Sequence, residues 1–302
     1  AQLAAAFAAL ATNGPEAGHA AGRSLVELGH ALAGRIVMGE ALEAAARFEE
    51  ALRVYGSLAD LIPEAPGLRS AGVRFVHVAE LASARGDTVQ ARRALELAIR
   101  CFTRARELAP HQPSSHRLLA FALLRADHHA EAVSTLESAL DRDFDGERFP
   151  GSADVLRTDL AWIAADGHRA GPGAPDERSG PSGGPASGRD QPRLRYVLTW
   201  EGDDIDVDLI LRDRFGDHHG AKVTPPATPE LLRADATRGY GLEELTIPQG
   251  PLESQPWQPA VHAGRLYRRE PGRSGPVLGQ VERLELDAEG RLRVESRPFF
   301  IT

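Results

Sequence analysis

Residues 167–191, GHRAGPGAPDERSGPSGGPASGRDQ, hold glycine, proline, serine and scattered charge, with almost nothing that a core could bury. Such a composition cannot offset the entropy of ordering and reads as a flexible linker. It divides a chain of 302 residues into two parts, each long enough for a core of its own. The parts differ in period. Residues 1–166 repeat apolar side chains every three and four positions, rich in Ala, Leu, Arg and Glu, with breakers confined to short connections; that is helix. Residues 192–302 carry the short alternating runs LRYVLTW, VDLIL, ELTI, VERLEL and RLRVESRPFFI between Gly, Pro and Asp-Gly signals; those are strands. The expectation is a multidomain α and β chain: a helical array over 1–166, a linker over 167–191 and an antiparallel β-sandwich over 192–302.

The helical part repeats internally. In HRLLAFALLRADHHAEAVSTLESALDRD, small Ala120 and then Leu123 suit a first helix, and Ala132, Leu136 and Ala139 a second. One unit earlier, Ala98, Phe102, Ala105 and Pro110 take equivalent places in AIRCFTRARELAP. Further upstream, Ala44, Phe48 and Ala51 repeat the spacing in AAARFEEAL. These positions resemble a tetratricopeptide-repeat array of about three units, followed by the capping helix SADVLRTDLAWIAA. The middle unit departs from the pattern, because its Gly86-Asp87 turn lies far ahead of Ala98, which implies a longer second helix.

Helix pairs of this kind cannot bury their apolar faces alone, so they stack into a solenoid with one concave surface. The resemblance implies that the first helix of each repeat lines that groove, which nominates Ser114, Arg117, Phe121, Leu124 and Arg125 as partner-binding residues. Two arginines there suit an acidic peptide or a C-terminal carboxylate. The alternative is that Phe121 and Leu124 pack the core and the arginines are solvated.

Charge excludes some functions. A formal net charge of -8 and a pI near 5.8 argue against general binding to nucleic acid or anionic membranes. Lys222 is the only lysine and Asn13 the only asparagine, a bias of composition rather than of function. No apolar run approaches the ~18 residues of a membrane span. The opening AQLAAAFAALAT has no basic segment ahead of it, so it is not expected to be an intact signal peptide. Cys101 stands alone, which precludes an intramolecular disulfide or a cysteine metal cluster. That favours a reducing, cytoplasmic compartment over the periplasm or envelope, although exported bacterial proteins without disulfides also exist.

WEGDDIDVDL, from Trp200 to Leu209, concentrates carboxylates among apolar residues. On a strand, Ile205, Val207 and Leu209 would enter the core, leaving Asp204, Asp206 and Asp208 on the other face. At a rise of ~3.3 Å per residue they would stand about 7 Å apart. Their repulsion needs solvent, nearby arginines or a hard cation such as Ca2+ to relieve it. The spelling is not that of an EF-hand, which needs glycine where Leu209 falls and glutamate where Phe215 falls.

Other chemistry is sparse. Asp127-His128-His129 reads as a turn between helices, and Asp217-His218-His219 as a loop with weak metal-binding potential. Cys101 falls on the apolar stripe of a repeat helix, as core packing. No GxSxG elbow, phosphate-cradling loop or HExxH helix occurs, and no set of residues combines nucleophile, base and oxyanion donor.

Three further motifs, taken in order, carry a second resemblance. They are Trp200 with Asp204, Asp206, Asp208 and Leu209; then Asp235, Thr237, Gly239, Tyr240, Gly241 and Glu243; then Arg297, Pro298 and Phe299. Together, over roughly residues 193–302, they resemble a bacterial domain of unknown function, the YfaP-like family, which often follows tetratricopeptide repeats or von Willebrand factor A and VIT modules. Leu242 stands where that family has proline. TPPATPELL replaces its usual Gly-Gly, and GPLESQPWQPAVHAGRLYRREPGRSGP replaces a shorter hairpin. The resemblance implies a non-catalytic interaction module. Asp235 and Glu243 would strengthen a cation site if they converge on Asp204, Asp206 and Asp208; Arg238 or Arg212 would instead make the network structural.

The function expected is a non-enzymatic scaffold, with a protein partner in the helical groove and a second contact on the β-sandwich. The alternative is a Ca2+-dependent envelope module recognising glycan or protein, and a hydrolase comes third. No other cofactor is expected.

Overall fold

The structure, a computed structural model, describes residues 2–144, 146–170, 193–202, 207–212, 218–220, 232–234, 241–247, 258–263, 277–287 and 289–301. Helices occupy the N-terminal part: α1 (Gln2–Asn13), α2 (Pro15–Glu27), α3 (Ala31–Ala44), α4 (Phe48–Leu61), α5 (Ala65–Ala84), α6 (Thr88–Leu108), α7 (Pro113–Arg125), α8 (His129–Leu140) and α9 (Ser152–Ala170). Strands follow: β1 (Leu194–Glu201), β2 (Val207–Arg212), β3 (His218–Gly220), β4 (Leu232–Ala234), β5 (Leu242–Ile247), β6 (Gln258–Ala263), β7 (Val277–Leu286) and β8 (Leu292–Ile301). Each of the five segments with strand alternation contributes to a strand.

The chain folds as two compact units. One is Ala1–His128 together with 275–278 and 302. The other is His129–Ser274 with Gly279–Ile301. α8 and α9 thus fall in the same compact unit as the strands, and a buried ion cluster (below) ties α9 to them. α9 also runs on to Ala170, into sequence expected to be linker.

One turn recurs through the helical unit. His30 N donates to Leu25 O, Arg47 N to Leu42 O, Asp87 N to Ala82 O and His128 N to Leu123 O, at 2.8 to 2.9 Å. Each bond closes a Schellman turn whose penultimate residue is left-handed: Gly29 (φ 90), Ala46 (φ 57), Gly86 (φ 77) and Asp127 (φ 62). Glycine enters this region without steric cost, whereas Ala46 is strained there by its Cβ.

Helix starts follow local chemistry. Asp87 caps α6 by accepting from Gln90 N at 3.0 Å. Proline in the first turn begins α2, α5 and α7, where its missing N–H would be unbonded in any case. The middle second helix, α6, is 21 residues long and buries Ala94, Ala98, Phe102 and Ala105 along one stripe. In α8, Ala132, Leu136 and Ala139 are all buried. The first repeat is built differently from expectation. Ala44 ends α3 and Phe48 begins α4, so the left-handed Ala46 turn separates residues whose spacing suggests one helix.

Within the helical unit each helix packs against its sequence neighbours. Close approach is set by small residues. A Cβ on Gly34 of α3 would lie 2.5 Å from Gly22 O of α2, and one on Gly72 of α5 would lie 2.4 Å from the Phe102 ring of α6.

In the second unit the strands form a five-stranded sheet of order β4-β5-β1-β7-β8 and a three-stranded sheet of order β3-β2-β6. The pairs β1–β5, β4–β5, β2–β3 and β2–β6 are antiparallel. β6 lies within the long segment expected to replace a hairpin, and it pairs with β2. Both β1 and β5 are buried along their whole length. Since successive side chains alternate sides, both faces of that pair must be covered.

Candidate functional site

The face of the β1–β5 pair that carries Arg195 is covered by α9. Arg195 is paired in register with Thr246, and Val197 with Glu244. Arg195 Nη1 donates to Asp159 Oδ1 of α9 at 2.7 Å, and its Nε donates to Glu244 Oε1. The guanidinium lies 4.9 Å from the Trp162 ring centroid, and Thr246 Oγ1 donates to Glu244 Oε1 at 3.1 Å. One cation thus meets two carboxylates and an aromatic face away from water, and a hydroxyl bonds one of the carboxylates. A second tie comes from Asp166, whose Oδ1 accepts from Leu292 N of β8 at 3.0 Å while Oδ2 lies 3.2 Å from His129 Nε2. Neither cluster was legible in the sequence; an arginine inside the otherwise apolar run LRYVLTW was its only trace.

On the other face stand Leu194, Tyr196, Leu198 and Trp200 of β1 with Glu243, Leu245 and Ile247 of β5, all buried. Here the first two motifs meet. Trp200 lies against Gly241, where a Cβ would overlap its ring at 1.9 Å, so only glycine fits beside that indole. Glu243 Oε2 accepts from Leu209 N of β2 at 2.7 Å, which brings the second motif to the DVDL segment. Phe299 lies over Gly279, where a Cβ would be 2.4 Å from its ring and 2.5 Å from Thr199 O.

Asp208 is only 2% exposed and Glu243 is fully buried. Solvent therefore does not relieve Asp208, although alternation alone put it on the face away from the apolar side chains. Arg212, one of the arginines considered as a neutralising partner, is exposed at the end of β2. Asp204, Asp206, Asp235 and Arg238 lie outside the described residues. Among the described residues no three His, Cys, Asp or Glu side chains are grouped closely enough to hold a metal ion.

The nominated groove residues are placed as follows. Ser114, Arg117 and Phe121 are buried, with the Arg117 guanidinium stacked 4.5 Å from the Phe121 centroid. Leu124 is partly buried, and the Arg125 side chain is 12% exposed. Arg125 donates to Glu80 Oε1 of α5 at 3.1 Å and to Phe121 O at 3.2 Å. Cys101 is half-buried, and burial pushes its thiol up to about 11, away from nucleophilic use. No helix among the described residues is long and apolar enough to cross a membrane.

No protein-family model matches the chain. No curated protein matches it either. The described residues offer buried carboxylates beside a conjunction of aromatic and glycine residues, and an arginine-glutamate pair between α7 and α5.

Proposed function

We propose that the protein is a non-catalytic interaction scaffold, in which a tetratricopeptide-like α-solenoid binds a protein partner and a YfaP-like β-sandwich makes a second contact. The observation that carries this reading is the recurring Schellman turn: the last three of its four acceptors, Leu42, Ala82 and Leu123, are 40 and 41 residues apart, while Leu25 precedes Leu42 by 17. A turn repeated at near-constant spacing, with helices packed on their sequence neighbours, is what a stacked helical repeat requires. The spacing exceeds the roughly 34 residues of a tetratricopeptide unit, in keeping with the long α5 and α6. The conjunction of Trp200 with Gly241, and of Glu243 with Leu209, supports the second resemblance, since residues singled out as one family's markers occupy one place.

Within the nominated groove, Leu124 is partly exposed and the Arg125 side chain keeps 12% exposure beside Glu80 at 27%, so we place the partner contact at the Arg125–Glu80 edge. An acidic side chain or terminal carboxylate would compete with Glu80 for the Arg125 guanidinium. The test is affinity capture with the full chain, comparing wild type with Arg125→Glu. Arg125→Glu sets two carboxylates together and lowers stability, so capture is compared well below both melting temperatures. A partner retained by wild type and lost by the folded variant is the expected result; equal capture by both would remove Arg125 from the contact.

A second reading is favoured by one observation, the approach of Glu243 to the residue following Asp208. Two buried carboxylates there suit a Ca2+-dependent binding module. Specific Ca2+ binding would raise the melting temperature by mass action, and EDTA would reverse it. A melting temperature indifferent to both ends that reading.

A further inference from the structure

Helix α3 carries two carboxylates one turn apart, Glu40 and Glu43, and Glu43 is buried. From α5, Arg74 donates to Glu40 Oε1 at 2.7 Å and lies 5.7 Å from the ring centroid of Tyr55, which α4 contributes and which is fully buried. Room for that ring comes from Gly39, where a Cβ would lie 2.2 Å from it. His77 Nε2 stands 3.9 Å from Glu43 Oε2. The main chain of Glu43 is engaged as well: its carbonyl accepts from Ala46 N at 3.0 Å and from Arg85 Nη1 at 3.3 Å. That first bond belongs to the Schellman turn in which Ala46 is left-handed. The side chain of one residue thus sits in a buried ionic cluster while its carbonyl closes a strained turn.

The groups facing Glu43 can be counted by element. Its own helix supplies Glu40, α4 supplies Tyr55, α5 supplies Arg74 and His77, and the residue capping α5 supplies Arg85. From α2, which also packs on α3, Glu16, Arg23 and Glu27 are exposed, and His19 acts on Glu50. Arg74 is committed at short range to Glu40. An ionised Glu43 would therefore leave two carboxylates sharing one buried cation, unless His77 takes up a proton. Excess buried charge is relieved most directly by opening to water.

We propose that the Glu40–Glu43–Tyr55–Arg74–His77 cluster is a proton-responsive catch: a protonated Glu43 holds the α3–α4 turn closed against α5, and loss of that proton loosens α3 to α5 locally. Burial is the largest influence on Glu43 and pushes its carboxyl from the ordinary 4.5 up to about 7, with Arg74 opposing and Glu40 assisting. The folded chain then holds this proton more tightly than the unfolded chain. The stabilisation is complete below about pH 4.5, declines as the pH rises, and is gone above about pH 7. At the α3–α4 turn the strained alanine is the first point that would yield.

Hydrogen–deuterium exchange on the full chain tests this, with rates corrected for the intrinsic pH dependence of amide exchange. Between about pH 5 and about pH 8, protection in peptides spanning α3 to α5 should fall by about tenfold or more, while α9 peptides change little. Glu43→Gln should keep that protection throughout. Glu40→Gln, which frees Arg74 for Glu43, should move the midpoint to lower pH. A fall in protection that persists unchanged in Glu43→Gln, or that spreads evenly over the chain, would overturn the proposal. If Glu43→Gln does not fold, the wild-type infrared spectrum decides. A protonated-carboxyl C=O band should survive at about pH 6 and vanish by about pH 8, since ordinary carboxylates are already ionised there; no such band at about pH 6 would refute the catch.

Discussion

Arg195 of β1 donates to Asp159 of α9 at 2.7 Å, and neither side chain reaches solvent. The pair joins residues 36 positions apart and fastens a helix to a sheet. Removing one member of a buried pair leaves the other charged in low dielectric, at a cost of about 3 kcal/mol or more. Glu244 still holds Arg195, so Asp159→Ala should lose about that much rather than unfold outright. Urea denaturation followed by tryptophan fluorescence measures it, since Trp162 stacks on the same guanidinium. A loss under about 0.5 kcal/mol, typical of exposed pairs, would mean that Asp159 does not carry the contact.

The recurring turn makes a graded prediction. Ala46 and Asp127 both hold left-handed φ, but Asp tolerates that region better than Ala. Ala46→Gly should therefore stabilise by about 0.5 to 1 kcal/mol, and Asp127→Gly by less. Thermal melts of the two variants decide it; equal gains, or a loss at Ala46, would remove backbone strain as the explanation.

Gly72 sits inside α5, where alanine would ordinarily gain about 1 kcal/mol in helix propensity. Against that, its Cβ would stand 2.4 Å from the Phe102 ring. Phe102 is buried in the α6 stripe and cannot simply swing away. Overpacking of this kind costs about 1 to 3 kcal/mol, so the clash should win and Gly72→Ala should lower stability. A double variant with Phe102→Leu should recover part of the loss, which denaturant midpoints would register.

How much of the fold is readable in the sequence depends on the range of the interaction. Strands are legible because alternation is local, and LRYVLTW, VDLIL, ELTI, VERLEL and RLRVESRPFFI each contribute to one. The turn between α7 and α8 is legible because small residues fall at helical spacing on both sides of it. The turn between α3 and α4 misleads at Ala44, Phe48 and Ala51, since a left-handed alanine in AAAR leaves no glycine to mark the break. Asp208 shows the other limit: its place on a strand face follows from period two, but its burial there depends on residues distant in sequence. The Arg195 cluster, with partners dozens of residues away on either side, has no periodic signature at all.

Cys101 should react slowly with thiol reagents. With its thiol pushed up to about 11 by burial, the thiolate fraction at pH 8 is about 0.001, against about 0.2 for a free cysteine near 8.5. Modification by a chromogenic disulfide in the native chain should thus run about a hundredfold slower than in denaturant. Comparable rates in both states would place the thiol in water.

Glu243 separates a structural carboxylate from a ligand. Its Oε2 accepts from Leu209 N, so Glu243→Ala leaves a buried amide without that acceptor, at about 1 to 3 kcal/mol. Glu243→Gln keeps an amide oxygen for the same N–H and should cost less, because the geometry of the acceptor survives while its charge does not. If the carboxylate serves only to bond β2, the two variants should differ in this order and neither should alter any response to Ca2+. If Ca2+ raises the melting temperature of wild type, Glu243→Gln should abolish that rise while keeping most of the stability, because Ca2+ prefers a charged oxygen to a neutral amide. Melting temperatures of the three proteins, with Ca2+ and with EDTA, separate the two roles.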